Sequence, residues 1–228
     1  MRAIIFDLDD TLVHSRIDFA KMKSETIKFV QSVGVTPGLL NDRMLNFEIM
    51  RVSLENLRRK GFSEEEIQRV LAGVNEIMNQ VELESFDRAT VIDGVPETLG
   101  ALKTRGLKIG IMTRSCREYT ERVLAKFGLT KYVDAFAARD DVEKPKPSPE
   151  HAFHLLRLLD VPVEEALLVG DHWLDAQCAR EAGLRFIMFR RQEQGTSASK
   201  ESDYQIIKDI REIVDIAGDV GERREIIY

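Results

Sequence analysis

Cysteine occurs twice in the 228 residues, tryptophan once and proline six times. The two thiols, Cys116 and Cys178, lie far apart and form no C-x-x-C or Cys/His spacing. That excludes a disulfide framework and a zinc site and leaves two reduced packing thiols as the expectation. Nowhere do about 18 apolar residues run together, the length a membrane helix needs. The first apolar run, Ala3 to Phe6, meets acids at once, and so falls short of the roughly 7 to 15 apolar residues of a secretory signal. No membrane partner is expected, and the cytoplasm is the expected location. Positive charge is also in short supply, with 33 Lys and Arg against 39 Asp and Glu, a net charge of -6 and a pI near 5.4. No global positive field invites nucleic acid, so small ligands or other proteins are the expected partners.

What is present suits a folded domain. Hydrophobic residues make up 43% and charged residues 32%, enough apolar side chain for a core and enough charge for its surface. At about 150 residues per domain, the length suggests one large domain or a core with an insert. Met1 to Phe6 reads as a strand buried on both faces that delivers Asp7 to a polar end. Between Phe19 and Val81 the apolar spacing becomes helical. Leu40, Met44, Phe47, Met50, Leu54 and Leu57 form one stripe, and Ile67, Val70, Leu71, Val74, Ile77, Met78 and Val81 another. Gly34 closes a first helix, Thr36 and Pro37 open a second that ends at Gly61, and Ser63 with Glu66 forms a capping box for a third.

Beyond residue 90 strands and helices alternate. Helices are read at Pro96 to Arg105, Cys116 to Phe127, Pro149 to Leu159 and Leu174 to Ala182. Strands are read at Leu107 to Met112, Tyr132 to Ala138, Ala166 to Val169 and Leu184 to Phe189. Gln192 to Ser202 reads as a polar surface loop, followed by a strand near Tyr204 to Ile206 and a helix from Ile207 to Ala217. Such alternation predicts a doubly wound α/β domain with a parallel sheet. Its first strand precedes the helical block and the rest follow it, so residues 14–88 read as an inserted helical domain and residues 1–13 with 89–228 as the core.

In an open parallel sheet, ligands bind beyond the carboxyl ends of the strands. Those ends carry Asp7, Asp9 and Thr11, then Thr113 and Arg114, then Lys144 and Lys146, then Asp171 and Asp175. Period two would point Asp7 and Asp9 toward one cavity with Leu8 turned back to the core. Carboxylates sharing a site repel, and one takes up a proton unless a cation intervenes. With Asp171 added, the oxygen donors suit Mg²⁺. A lysine, the Thr113 hydroxyl and turn N–H groups suit an entering phosphate dianion. Asp7 could then attack phosphorus to form an aspartyl-phosphate, with Asp9 protonating the leaving alcohol and activating water.

These residues resemble, in order, the four motifs of the haloacid dehalogenase superfamily: F-D-L-D-D-T from Phe6, the strand ending in Thr113, K-P-K-P-S-P-E from Lys144 and G-D-H-W-L-D from Gly170. The likeness spans nearly the whole chain, and the helical insertion resembles the cap of the phosphoglycolate phosphatase-like branch. The resemblance implies Asp7 as nucleophile and Asp9 as acid/base, with the Asp9 backbone carbonyl also on Mg²⁺. It implies Thr113 on the phosphoryl group, Asp171 on the metal, and Asp175 supporting it directly or through water. Both Lys144 and Lys146 precede proline, and Lys146 is preferred because its K-P-x-P stretch leads straight into a helix.

Arg114 stands where relatives often have Asn, either in contact with phosphate or as a solvated surface residue. Asp10 stands where many have Gly and reads as a turn or cap residue. His172 is a poor Mg²⁺ ligand and reads as a loop histidine, while His14 reads as an exposed, hinge or substrate-facing residue. His151 and His154 are expected to be structural and Trp173 to pack. The implied activity is hydrolysis of a small phosphomonoester, phosphoglycolate or a sugar phosphate, by a monomer or homodimer. A phosphosugar mutase or a non-enzymatic binding protein of the same fold are the alternatives. Asp9 argues against haloacid dehalogenation, because a halide leaving group needs no proton.

Overall fold

The computed structural model describes residues 1–190 and 204–222, so the expected surface loop from Gln192 to Ser202 lies outside the described residues. The chain divides into two compact units, residues 1–15 with 89–228, and residues 16–88.

The first unit is built on a parallel sheet. Its strands are β1 (Ala3–Phe6), β4 (Lys108–Met112), β5 (Ala135–Ala137), β6 (Ala166–Gly170), β7 (Arg185–Phe189) and β8 (Gln205–Ile207), arranged β5-β4-β1-β6-β7-β8. Every adjacent pair is parallel, with Ile5 opposite both Gly110 and Leu168. All four residues of β1 are fully buried, as expected of a central parallel strand covered on both faces. Helices α4 (Val95–Thr104), α5 (Arg117–Lys126), α6 (Pro149–Leu159), α7 (Trp173–Ala182) and α8 (Glu212–Glu222) complete the unit. Leu155, Leu159, Ala152, Cys178 and Ala179 from α6 and α7 pack with Ala3, Ile5, Met112, Ala137 and Leu168 in one core cluster. The chain moves outward from β1 through β4 to β5, then returns to β6 on the other side of β1. That reversal places the ends of β1 and β6 at the topological switch point, where such sheets bind ligands.

A short antiparallel pair, β2 (Val13–His14) with β3 (Thr90–Val91), stands just before the chain leaves this unit and just after it returns. The sequence offers no signal for it, since two-residue strands show no periodicity.

The second unit holds α1 (Phe19–Ser32), α2 (Asn46–Arg59) and α3 (Glu64–Ser85). Asp18 caps α1 by accepting from the Lys21 N–H at 2.8 Å. The Ser63/Glu66 box forms as expected: the Ser63 N–H donates to Glu66 Oε2 at 2.8 Å and the Glu66 N–H to Ser63 Oγ at 3.3 Å. Helix α1 packs on α3 where Gly73 faces the Phe29 ring so closely that a Cβ would sit 2.4 Å from Phe29 Cζ.

Helix α2 corrects the expected start at Thr36 and Pro37. Thr36 gives its N–H to Asn56 Oδ1 at 3.0 Å, and Gly38 adopts φ +82°. The segment therefore turns, and the helix begins only where Glu48 accepts from the Leu45 N–H at 2.7 Å. Leu40 and Met44 belong to the turn, although Leu40 is buried. Two other bounds shift. The strand expected over Tyr132 to Ala138 shortens to β5 because Thr130–Tyr132 forms a 3₁₀ turn. The last helix begins at Glu212, whose carboxylate accepts from the N–H groups of Lys208 and Asp209 at 2.9 Å and holds that stretch as a turn.

Candidate active site

The turn after β1 follows from local backbone chemistry. Leu12 and Val13 give their N–H groups to the Leu8 carbonyl at 2.9 and 3.0 Å, and Asp10 gives its own to Val13 at 2.7 Å. Closing this turn requires a left-handed residue, and Asp10 has φ +58°. Asp is among the few side chains that tolerate that region. Leu8 is buried, while Asp7 and Asp9 are delivered to the polar end of the sheet.

There, three carboxylates converge. One oxygen each from Asp7, Asp171 and Asp175 lies within 4.8 Å of the others. Lys146 reaches them from the loop before α6, its Nζ donating to Asp7 Oδ1 and to Asp175 Oδ1, both at 2.6 Å. Asp7 is 6% exposed, Lys146 2% and Asp175 1%. Thr11 adds a hydroxyl 3.5 Å from Asp171 Oδ1. Lys144, by contrast, is exposed to solvent.

Glycine makes part of this possible. A Cβ on Gly170 would sit 2.5 Å from the Asp175 carboxyl carbon, so only Gly lets that carboxylate lie against the end of β6. Asp175 in turn accepts from the His172 N–H at 3.2 Å as α7 begins.

Asp9 takes a different environment from Asp7. Its Oδ2 accepts from Thr113 Oγ at 3.0 Å and from Ser115 Oγ at 2.7 Å, and its carboxylate lies outside the three-acid group. The Asp7 carboxylate groups with Asp171 and Asp175, while the Asp9 carboxylate is held by the two hydroxyls and still adds to the negative charge around Asp7. Thr113 is fully buried, and its hydroxyl is directed to Asp9. Arg114 donates to the Lys146 carbonyl, and Arg139 donates to the Arg114 carbonyl at 2.7 Å. Ser115 joins the site without having been expected there, and His151, expected to be structural, lies against Lys146. A hydroxyl two positions after Thr113 is the available sign for Ser115, and for His151 the sign is its place five residues after Lys146.

Electrostatics follow from crowding. Burial raises the Asp7 carboxyl well above its ordinary range; Lys146 opposes this, and Asp175, Asp171 and Asp9 add to it. Burial, then Asp175 and Asp10, push Asp171 up to about 7. Burial works against the Lys146 charge, yet Asp175 and Asp7 hold its ammonium above the usual lysine range. Three carboxylates facing one ammonium leave an excess of negative charge that a hard cation would offset. The all-oxygen donor set suits a divalent metal ion.

His172 caps α7 by accepting from the Leu174 N–H at 3.3 Å. Trp173, expected to pack, is 44% exposed, because as the first residue of α7 it precedes the buried stripe of Leu174, Cys178 and Ala179. His14 Nδ1 lies 3.5 Å from Asp10 Oδ1. Both cysteines are buried. Among the described residues no helix is long and apolar enough to cross a membrane.

The family model for haloacid dehalogenase-like hydrolases matches residues 4–189. The chain belongs to the haloacid dehalogenase-like hydrolase family. Within it, the chain is 29% identical over 186 residues to the phosphoglycolate phosphatase of Aquifex aeolicus, covering 81% of this chain and 83% of that one. It is 31% identical over 127 residues to the pyrophosphatase PpaX of Halalkalibacterium halodurans, covering 55% of this chain and 59% of that relative's length. The fold is shared with a solved haloacid dehalogenase-type phosphatase from Thermococcus onnurineus at a TM-score of 0.61 and 22% identity, covering 96% of this chain and 98% of that one. The phosphoglycolate phosphatase-like branch that the motifs resemble is thus the branch in which relatives of this hydrolase are found.

Proposed function

We propose that the protein is a Mg²⁺-dependent phosphatase that cleaves a small phosphomonoester through an aspartyl-phosphate on Asp7. The observation that carries this reading is the buried Lys146 ammonium bound at 2.6 Å to both Asp7 and Asp175, which puts fixed positive charge beside a carboxylate able to act as nucleophile. Asp7, Asp171 and Asp175, with the Asp9 carbonyl, would hold the metal. A bound Mg²⁺ would screen the carboxylates from one another and stabilise charge on the phosphoryl oxygens.

An Asp7 oxygen attacks phosphorus as the bond from phosphorus to the ester oxygen breaks, and Asp9 gives that oxygen its proton. Asp9 then takes a proton from water, whose oxygen attacks phosphorus. The bond to Asp7 breaks and inorganic phosphate leaves. Proton transfer by Asp9 is worth about 10² to 10⁴ in rate, and the Thr113 and Ser115 hydroxyls fix its carboxyl during this exchange. Lys146 and Thr113 orient the phosphoryl group, with Arg114 beside them.

Substrates of the phosphoglycolate and short sugar phosphate class fit this reading, and the PpaX relatives add pyrophosphate to the candidates. The test is Mg²⁺-dependent phosphate release from p-nitrophenyl phosphate, phosphoglycolate, sugar phosphates and pyrophosphate. Acid-quenched protein should carry label from a ³²P-substrate in wild type and none in Asp7→Asn. Full turnover by Asp7→Asn rejects covalent catalysis by that residue. Phosphoryl exchange between sugar hydroxyls without release would mark a mutase, and no turnover across the panel a binding protein.

A further inference from the structure

Lys146 sits in an unusual stretch of backbone. Pro145 and Pro147 flank it and Pro149 begins α6, so the segment has few N–H groups with which to hold its own shape. The Ser148 N–H goes to the Pro145 carbonyl at 3.1 Å. The buried Lys146 N–H goes instead to a side chain, His151 Nδ1, at 3.2 Å.

The far nitrogen of the same ring, His151 Nε2, lies 3.0 Å from the Ala137 carbonyl. A carbonyl only accepts, so Nε2 carries the proton and Nδ1 offers its lone pair to Lys146. Both contacts demand the same neutral tautomer. His151 is fully buried, and burial, with Lys146 next, brings its pKa down to about 3, so the ring stays neutral. The Ala137 carbonyl also accepts the Thr113 N–H at 3.0 Å. One imidazole thereby ties the loop bearing Lys146 to the strand end bearing Thr113.

We infer that His151 is a positioning residue: by clamping the Lys146 N–H and sharing the Ala137 carbonyl with Thr113, it fixes where the Lys146 ammonium stands relative to Asp7 and the phosphoryl group. Arg114 completes the clamp by donating to the Lys146 carbonyl. Without His151 the Lys146 N–H is buried with no acceptor, and the proline-flanked loop can relax by moving. A displacement of the order of 1 Å at a positioned group costs about 10²-fold in rate.

This inference rests on the phosphatase reading for its kinetic arm, but not for its structural arm. The structural arm is ¹⁵N NMR of histidine-labelled protein: His151 should show a protonated Nε2 and an unprotonated Nδ1 that do not titrate between about pH 5 and 8, whether or not any substrate turns over. The kinetic arm compares His151→Asn, whose Oδ1 can replace Nδ1 as acceptor, with His151→Phe, which fills the space without one. With p-nitrophenyl phosphate and Mg²⁺, His151→Phe should lower kcat at least tenfold with KM changed less than threefold, and His151→Asn should restore most of kcat. Equal loss of kcat in both variants, or a lowered melting temperature with kcat intact, would reduce His151 to a packing residue and overturn the inference, as would a titrating imidazole. Absence of turnover in the wild type alone would strike the phosphatase reading and leave the tautomer result standing.

Discussion

Replacing Asp171 by Asn in metal-free protein removes a buried negative charge that a cation would offset. The Asp171 carboxyl moves from 3.8 to about 7 on folding, chiefly through burial and then through Asp175 and Asp10. A raised carboxyl favours the protonated folded form. Its contribution to stability is therefore complete below about pH 4 and is lost as pH climbs through 7. The displacement corresponds to stability of the order of 4 kcal/mol lost by pH 8, the smaller part of it already gone at pH 5. Because Asp7 and Asp171 share the crowding, removing one charge relieves part of the load on the other. Asn retains an oxygen for the Thr11 hydroxyl and occupies the same volume. Asp171→Asn should thus raise the melting temperature in EDTA at pH 8 by several degrees, at about 2–4 °C per kcal/mol for a chain of this size, and by clearly less at pH 5. Addition of Mg²⁺ at pH 8 should raise the melting temperature of the wild type more than that of the variant. Thermal unfolding followed by circular dichroism at both pH values supplies the comparison. An equal shift at pH 5 and pH 8, or a variant less stable than wild type at pH 8, would refute the electrostatic reasoning.

The same balance makes Lys146→Met costly. Asp7 and Asp175 would each lose the ammonium they hold at 2.6 Å, and breaking a buried pair on one side costs about 3–5 kcal/mol, measurable by urea denaturation, with turnover lost as well; Lys144→Met, at an exposed position, should leave both nearly unchanged. Gly170→Ala should displace the Asp175 carboxylate, which a Cβ would approach to 2.5 Å, and weaken Mg²⁺ binding measured by calorimetry even where the protein stays folded. Asp9→Asn should slow alkyl phosphates far more than p-nitrophenyl phosphate, because a good leaving group needs little protonation; equal losses would separate Asp9 from the acid role. Gly73→Ala places a methyl against Phe29 and should lower the unfolding temperature through overpacking of about 1–3 kcal/mol.

Asp10 and Leu45 show where local chemistry is legible and where it is not. Asp10 occupies the left-handed turn that a Gly-like position implies, and Ser63 with Glu66 caps α3 as their spacing dictates, because both depend on residues three or four apart. The α2 start escaped the reading because the N–H of Thr36 bonds to Asn56, a partner twenty residues away that no periodicity reveals. Trp173 was expected to pack from its residue type, yet its place on the exposed side of α7 depends on which face meets the sheet.

The site divides along the same line. Order along the chain and the polar ends of apolar strands are enough to single out Asp7, Asp9, Thr113, Asp171 and Asp175 as candidates, because a buried strand with a polar end is written in consecutive residues, while Lys146 is preferred over Lys144 only through the K-P-x-P stretch that leads into α6. Which carboxylates gather was decided only by the fold. The return of β6 beside β1 brings Asp171 and Asp175 to Asp7, while the tight turn hands Asp9 to the hydroxyls of Thr113 and Ser115. His151 divides between the two: the Lys146 N–H lies five residues upstream in the chain, whereas the Ala137 carbonyl meets the ring only when α6 packs against the end of β5, a contact made through space that no spacing announces.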